Sequence, residues 1–235
     1  MRAIFATPLA APLVALCISA TAHADAIGVK GDIGLWRSDY AGDIGSASTS
    51  VGSLGYTDET NRFLHISVEH PIPLIPNFRV GHTDINAGRS VEWEGGSASS
   101  TIELTHLDNT AYYEILDNWV SIDLGLSLRI YDGRISLATP NTNESMKVDD
   151  VLPMGYLLVE AELPFTGWSA GVEGNYTDFS DYQVTDYTLK LRYLFDSLVD
   201  LGVEFGYRNQ ALNIDQGIGA DLTLDGPYAA FAFHF

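Results

Sequence analysis

The feature that most restricts the fold of this chain is a strict alternation of apolar and polar residues. Between Val120 and Tyr131, aliphatic side chains occupy every second position, and small or charged side chains such as Asp123 and Arg129 fill the positions between them. Successive side chains of a β-strand point to opposite faces, so this period predicts a strand with one apolar and one polar face. Because similar segments recur along the chain and no sustained helical period competes with them, we expect an all-β fold.

The segments that alternate predict about ten antiparallel strands, within a range of about eight to twelve. They centre on residues 27–35, 64–68, 78–80, 102–116, 120–131, 157–161, 168–176, 187–195, 201–208 and 229–235. Between Leu107 and Leu116 the parity is ambiguous, which predicts a β-bulge. Short turns, such as Asp117-Asn118, alternate with longer polar segments around 39–60, 86–100, 132–150, 177–183 and 209–221. This layout is typical of a closed transmembrane β-barrel with short periplasmic turns and longer extracellular loops.

A soluble β-sandwich would show the same alternation, but the distribution of residue types favours the barrel. Aromatic side chains gather near strand ends, as in interfacial girdles around a lipid-facing band. These are Trp168, Tyr176, Tyr187, Tyr193, Phe195, Phe205 and Tyr207. The polar faces carry both charge signs in mid-strand, which predicts ion pairs inside the lumen. The predicted lumen charges are Lys30, Asp32, Arg79, Glu103, Asp123, Arg129, Glu160, Glu173, Lys190, Arg192, Glu204 and Arg208.

Charge composition narrows the possible partners. Acidic residues outnumber lysine and arginine by 31 to 12, which argues against nucleic acid as a partner. Because the predicted lumen charges nearly balance, the surplus acids fall in the loops. Asp149-Asp150 and 178–181 would suit Ca²⁺ or Mg²⁺ bridging to lipopolysaccharide phosphates, although simple hydration is the favoured interpretation. We expect no cofactor and no metal, because zinc-type and nucleotide-binding motifs are missing from the sequence.

The first residues have the layout of a secretory signal peptide. Arg2 precedes an uncharged run that ends at Ala22-His23-Ala24, which predicts cleavage before Asp25. Prolines interrupt the run and disfavour the alternative of a membrane anchor. The expected organisation is a signal peptide over 1–24 and one barrel domain over 25–235. Cys17, the only cysteine, would leave with the signal peptide, so we expect no disulfide.

The C-terminal segment resembles the assembly signal of bacterial outer-membrane proteins. Phe231, Phe233 and Phe235 alternate on one face with Ala229, and Ala230 stands where the commonest pattern has glycine. The resemblance implies that the barrel-assembly machinery reads this strand and that periplasmic chaperones escort the chain. We also expect the strand to pair with the segment around 27–35 and so to close the barrel.

The mature sequence is also similar to a family of small Gram-negative outer-membrane β-barrels, most of which have no assigned activity. The similar segments are 69–77 (EHPIPLIPN), 94–96 (EGG) and 112–117 (YYEILD). The resemblance implies a barrel in the cell outer membrane, surrounded by lipid and lipopolysaccharide. It implies no mechanism.

Two histidine motifs raise the question of an enzyme. His65-Ile66-Ser67 with Glu69 has the spacing of the His-x-Ser pair of lipid A deacylases, but its predicted face is the lumen, close to a periplasmic turn. His82-Thr83-Asp84, with Asp178 or Asp186 opposite, is comparable to the rim residues of omptin proteases. The flanking residues do not extend either match. We therefore expect no enzyme, and a barrel-embedded hydrolase is the minor alternative.

Barrel size limits the remaining functions. About eight strands leave an interior that side chains nearly fill, and about sixteen are needed for an open aqueous channel. The expected function is a monomeric, porin-like barrel with a narrow or gated channel that prefers small cations. The alternative is a closed structural barrel that transports nothing.

Overall fold

A computed structural model of the chain describes residues 27–195 and 200–235. The signal peptide expected over 1–24, with Cys17, lies outside the described residues. Within them, no helix is long and apolar enough to cross a membrane. The strands are β1 (Gly28–Ile44), β2 (Thr49–Ser50), β3 (Glu59–Glu69), β4 (Asn77–Asp84), β5 (Asn86–Trp93), β6 (Gly96–Glu103), β7 (His106–Asp117), β8 (Val120–Tyr131), β9 (Gly133–Ala138), β10 (Asn143–Val148), β11 (Val151–Leu163), β12 (Trp168–Phe179), β13 (Tyr182–Phe195), β14 (Asp200–Ile214) and β15 (Ala220–His234).

A closed antiparallel barrel of 10 strands forms the body of the protein. Around the ring the strands run β1, β3, β4, β7, β8, β11, β12, β13, β14 and β15, and β15 pairs with β1. In that closing pair Ile33 lies opposite Phe231, and Val29 exchanges backbone hydrogen bonds of 2.6 and 3.0 Å with Phe235. The prediction of a barrel closed by its first and last strands is confirmed.

The register of β7 and β8 contains the predicted bulge. Their pairing shifts between Glu114 and Leu116, so one residue of β7 is left out of the ladder. Before the shift, odd positions of β7 face outward and even positions face the lumen. The bulge explains why the sequence parity was ambiguous at this point.

The outer wall of the barrel carries an apolar belt. Leu126 and Phe231 are each 72% exposed, and aromatic rings border the belt at both ends. Trp168 and Tyr176 mark those ends on β12; at a strand tilt of about 40° they are roughly 20 Å apart in height, close to the ~25 Å band of such barrels. A closed barrel pairs its backbone groups between strands, and the belt meets lipid. The chain is therefore an integral outer-membrane β-barrel.

Two segments predicted as polar loops are instead β-hairpins. β5 with β6 and β9 with β10 form a second, four-stranded sheet in the order β10-β9-β6-β5. The loop predictions for 86–100 and 132–150 were therefore wrong. The physical reason is that Ala98, Ile135 and Val148 in these segments are fully buried, so pairing the hairpins covers apolar surface that a loop would expose.

The second sheet also removes Glu103 from the predicted lumen network. Glu103 ends β6, where it lies opposite Asn86 on one side and Arg134 on the other. The strand predicted over 102–116 is divided, and only its second part, β7, belongs to the barrel wall. An apolar–polar alternation does not report which of two sheets a strand joins, because both sheets have one buried face.

Beyond the apolar belt, the extracellular end of the barrel and the second sheet enclose one hydrophobic core. Its fully buried members include Trp36 from the barrel and Ile135 from the second sheet. The other large members are Tyr40, Ile44, Val51, Leu54, Tyr56, Phe63, Ile85, Ile102, Leu104, Tyr131, Leu137, Met146, Val148, Leu152, Met154, Tyr182, Val184, Leu212, Ile214, Leu222, Leu224 and Tyr228. Fully burying such a side chain contributes about 1.5–3 kcal/mol, so this core stabilises the extracellular half like the core of a soluble protein.

Candidate functional site

The lumen of the barrel holds its densest set of functional groups, arranged in two layers. In the outer layer, Arg129 of β8 donates to Asp108 of β7 at 2.7 and 2.8 Å and to Asp186 of β13 at 2.8 Å. Arg208 of β14 donates to the same Asp186 at 3.0 and 2.7 Å. Its Nη1 also reaches Thr83 Oγ1 on β4 at 3.1 Å. Because β4 and β14 lie on nearly opposite sides of the ring, this layer crosses the barrel axis.

The inner layer lies one row closer to the short turns. Arg79 of β4 contacts Glu173 of β12 with an Nη2–Oε1 distance of 3.0 Å. Lys190 Nζ lies 3.2 Å from Glu173 and 3.5 Å from Glu160, and Ser169 donates to Glu160 at 2.6 Å. β7, β8 and β11 stand between β4 and β12 in the wall, so this layer also crosses the lumen.

The remaining charges pair along the lumen wall. Arg192 donates to Glu204 at 2.7 Å, and the Tyr228 hydroxyl donates to the other carboxylate oxygen of Glu204 at 2.7 Å. His65 Nδ1 lies 2.8 Å from Asp32 Oδ1. A buried charge is tolerated when a partner and hydrogen bonds compensate it. The alternation of large charged side chains on inner faces therefore produces an interlocked interior.

Apart from Glu103, the predicted lumen charges all face the barrel interior. These are Lys30, Asp32, Arg79, Asp123, Arg129, Glu160, Glu173, Lys190, Arg192, Glu204 and Arg208. The sequence did not predict that Asp108 and Asp186 belong to the lumen charges, where they bind the arginines of the outer layer. Asp186 lies an even number of positions from Lys190 on the same strand, so the alternation that placed Lys190 in the lumen could have placed Asp186 there too. The bulge in β7 obscured which face Asp108 occupies.

Trp36 lies where the charged lumen meets the hydrophobic core. Its side chain is fully buried, its Nε1 donates to the Gly226 carbonyl at 3.2 Å, and the Arg208 guanidinium lies 4.9 Å from its ring centroid. A cation over an indole face is attracted by the ring quadrupole. Cavities beside the two charged layers measure about 30 and 20 Å³, which is room for a water molecule or two.

Towards the short turns, the lumen widens into a vestibule of about 680 Å³. Lys30 Nζ lies 2.7 Å from Glu69 on its wall, and the Tyr112 hydroxyl donates to Glu69 at 2.9 Å. Asp123 also lines the vestibule, opposite Glu114 in the β7–β8 register. Asp123 is only 4% exposed, and its Oδ1 has no hydrogen-bond partner within the described residues.

The two histidine motifs lie on opposite sides of the barrel wall. His65 and Ser67 face the lumen, where Asp32 binds His65 and Lys30 binds Glu69. His82 points outward, whereas Asp186 faces inward and contacts two arginines. The pairing of His82 with Asp186 suggested by the sequence is therefore wrong, because the wall separates the two side chains.

The extracellular loops contain one tight polar cluster. Tyr182 donates to Asp150 at 2.6 Å, and Gln216 Nε2 donates to Asp150 at 3.1 Å and to the Tyr182 oxygen at 2.9 Å. Burial, reinforced by the contact with the Asp150 carboxylate, raises the pKa of the Tyr182 hydroxyl above its ordinary value. Within 27–195 and 200–235, no group of three or more His, Cys, Asp or Glu side chains is arranged to hold a metal ion.

Comparison with known proteins yields structural likeness without sequence kinship. No protein-family model matches the chain, and no curated protein matches it significantly. The similar solved structures include the outer membrane protease OmpT from Escherichia coli (9% identity, 90% of this chain and 96% of that chain, TM-score 0.42), a Pseudomonas aeruginosa FadL homologue (10%, 89% and 90%, 0.38) and the beta domain of the Bordetella autotransporter BrkA (14%, 89% and 98%, 0.34).

Proposed function

We propose that this protein is an outer-membrane barrel with a closed lumen, a structural component that carries no solute across the membrane. The observation that supports this best is the pair of charged layers that cross the axis, one joining Arg129, Arg208 and Asp186 and the other joining Arg79 and Glu173. Trp36 and the hydrophobic core lie directly beyond the outer layer.

The energetics of passage support the same proposal. An ion moving through the layers must separate buried pairs, and exposing one buried charge without its partner costs about 3–5 kcal/mol. Beyond Trp36 it meets aliphatic and aromatic side chains that cannot replace its hydration. An ion would have to cross the charged layers and then the hydrophobic core, so the thermal motion of a single side chain does not open a path through the lumen.

A gated, cation-preferring channel is the second candidate. The vestibule favours it, because about 680 Å³ of space opens towards the short turns and carboxylates such as Glu114 and Asp123 line it. Conduction would require the two charged layers and the extracellular core to move aside together. That requirement makes the closed barrel the better-supported function.

Planar-bilayer recording tests the proposal directly. Refolded protein, shown to be folded by heat-modifiable gel migration, is added at high salt, and we expect no discrete conductance steps. A matched variant, Trp36→Ala with Arg208→Ala and Asp186→Ala, removes Trp36 and one charge of each sign from the outer layer. Because the inner layer of Arg79 and Glu173 still crosses the lumen, we expect this variant to stay closed as well. Reproducible steps from the unaltered protein would overturn the closed-barrel proposal, and cation preference in those steps would favour the channel.

We also propose that the barrel is not a hydrolase and works as a monomer in contact with lipid and lipopolysaccharide. His65 supports the first point because Asp32 binds it inside the lumen, away from the lipid-facing wall where an acyl-chain substrate lies. Lipid A cleavage that disappears in His65→Ala, or peptide cleavage that disappears in His82→Ala, would contradict it. A dimer mass in detergent would contradict the second.

A further inference from the structure

The geometry of the vestibule points to a binding site for a small organic cation, one that carries ammonium or guanidinium groups. We infer that Asp123, Glu114 and Glu162 bind this ligand from the side of the short turns. The inference goes beyond the closed-barrel proposal, because a ligand that enters and leaves by the same opening does not need a route through the lumen.

The balance of charge in the vestibule is the first support. Glu69 pairs with Lys30, and Glu160 pairs with Lys190. Asp123, Glu114 and Glu162 line the same space, and among the described residues no lysine or arginine nitrogen forms a salt bridge with them. The vestibule therefore holds more carboxylates than its own side chains neutralise, and a cationic ligand would supply the missing charge.

Asp123 is the second and independent support. Its side chain is almost completely buried, and one of its oxygens has no hydrogen-bond donor within the described residues. A buried acceptor left without a partner is unfavourable, and more so when it is charged. Since Asp123 lines the vestibule, an N–H donor on a ligand would satisfy this oxygen.

The size and walls of the vestibule decide the class of ligand. A volume of about 680 Å³ is within the range of small-molecule sites, ~300–1,000 Å³. The Tyr112 and Tyr156 rings, with centroids 5.9 Å apart, line the vestibule, and Trp168 lies at its rim. Aromatic faces attract organic cations. A bare metal ion fits less well, because within the described ranges no three ligands are arranged around one point.

Isothermal titration calorimetry with 1,4-diaminobutane tests the inference. Refolded protein in detergent should bind the diamine, whereas the uncharged 1,4-butanediol of the same length should not bind. Asp123→Asn should weaken the affinity at least about tenfold, since it removes a charge-assisted hydrogen bond. The matched control Asp58→Asn, in an extracellular ion pair with Arg37, should leave binding unchanged.

Three outcomes would overturn the site: no heat of binding at millimolar diamine, equal binding of the diol, or unchanged affinity in Asp123→Asn. If Asp123→Asn does not refold, the double variant Glu114→Gln with Glu162→Gln replaces it, because both side chains are exposed at the opening of the vestibule. We expect this variant to lose at least several-fold in affinity for the diamine. Diamine binding and bilayer conductance are separate readouts. Conductance from the unaltered protein would refute the closed-barrel proposal but not the binding site. Absence of diamine binding would refute the binding site but not the closed barrel.

Discussion

The membrane half and the extracellular half of this barrel share the same strands, but the apolar residues lie on opposite faces of those strands in the two halves. In the membrane half of β1, Ile33 and Leu35 point outward and are each 55% exposed. From the next residue onward in the same strand, Trp36, Tyr40 and Ile44 point inward and are buried. The period of two continues through β1, but the apolar residues change from the outer to the inner face.

β14, which runs in the same direction as β1, shows the same change of face. Leu201 and Phe205 face the surroundings in the membrane half, whereas Leu212 and Ile214 face the core in the extracellular half. Arg208, in the outer charged layer, lies between the two sets. The change of face marks the boundary between lipid and water, because an apolar side chain is stable against lipid or against a protein core but not against water.

The interiors therefore differ in what stabilises them. The membrane half is filled by ion pairs, which are specific in geometry and costly to break singly. The extracellular half is filled by apolar packing, whose contribution grows with the area buried.

Assembly of the membrane half should show the largest effect. Deleting Phe235 removes the hydrogen bonds between its backbone and Val29 and the ring that stacks on Phe233, at the seam of the barrel. We expect most of the protein to be lost from the outer-membrane fraction, measured by immunoblot. Phe235→Tyr keeps the aromatic ring and should assemble normally. Normal levels of the deletion variant would show that this strand is not the assembly signal.

The outer charged layer should give the next largest effect. Asp186→Ala leaves Arg129 and Arg208 buried with less compensation, and we expect a loss of about 3–5 kcal/mol in the free energy of unfolding. Urea unfolding in lipid vesicles, followed by tryptophan fluorescence, measures it. A loss below that of a typical surface substitution would mean that the layer rearranges around the missing carboxylate.

The extracellular core should respond to cavities. Ile135→Ala, in the second sheet and fully buried, should cost about 2–5 kcal/mol. Leu126→Ala on the lipid-facing wall is the matched control, and we expect a smaller loss because lipid fills the space. Equal losses at both positions would argue that the extracellular sheet is not packed as described.

The smallest effect is expected at the exposed ion pair of Arg37 and Asp58. Asp58→Asn should lower stability slightly at low salt and not measurably at about 1 M salt, where the Debye length falls to ~3 Å. The Asp186→Ala loss should persist at both salt concentrations, since buried pairs are screened much less. A matching salt dependence for the two variants would contradict the difference in burial.

Much of the membrane half follows from the sequence. Alternation of the kind seen in Val120–Tyr131 indicates strands, and the inward parity of Arg129 and Lys190 follows from the same count. The second sheet did not follow from it. Segments 86–103 and 133–148 combine polar residues with scattered aliphatic ones, and their burial depends on hairpins that lie far apart in sequence and meet only through β6 and β9.

The local sequence pattern was sufficient to predict that this chain forms strands, that about ten of them build the barrel, and which side chains share a face along most of those strands, because a period of two is a property of the extended backbone. The tertiary structure was needed to show where the apolar residues change from the lipid-facing wall to the extracellular core, and which charges pair. Arg208 reaches Thr83 over a sequence separation of 125 residues, and no local pattern carries that contact. The closure of β15 on β1 brings these distant side chains to one axis, and that closure gives the lumen its charged layers.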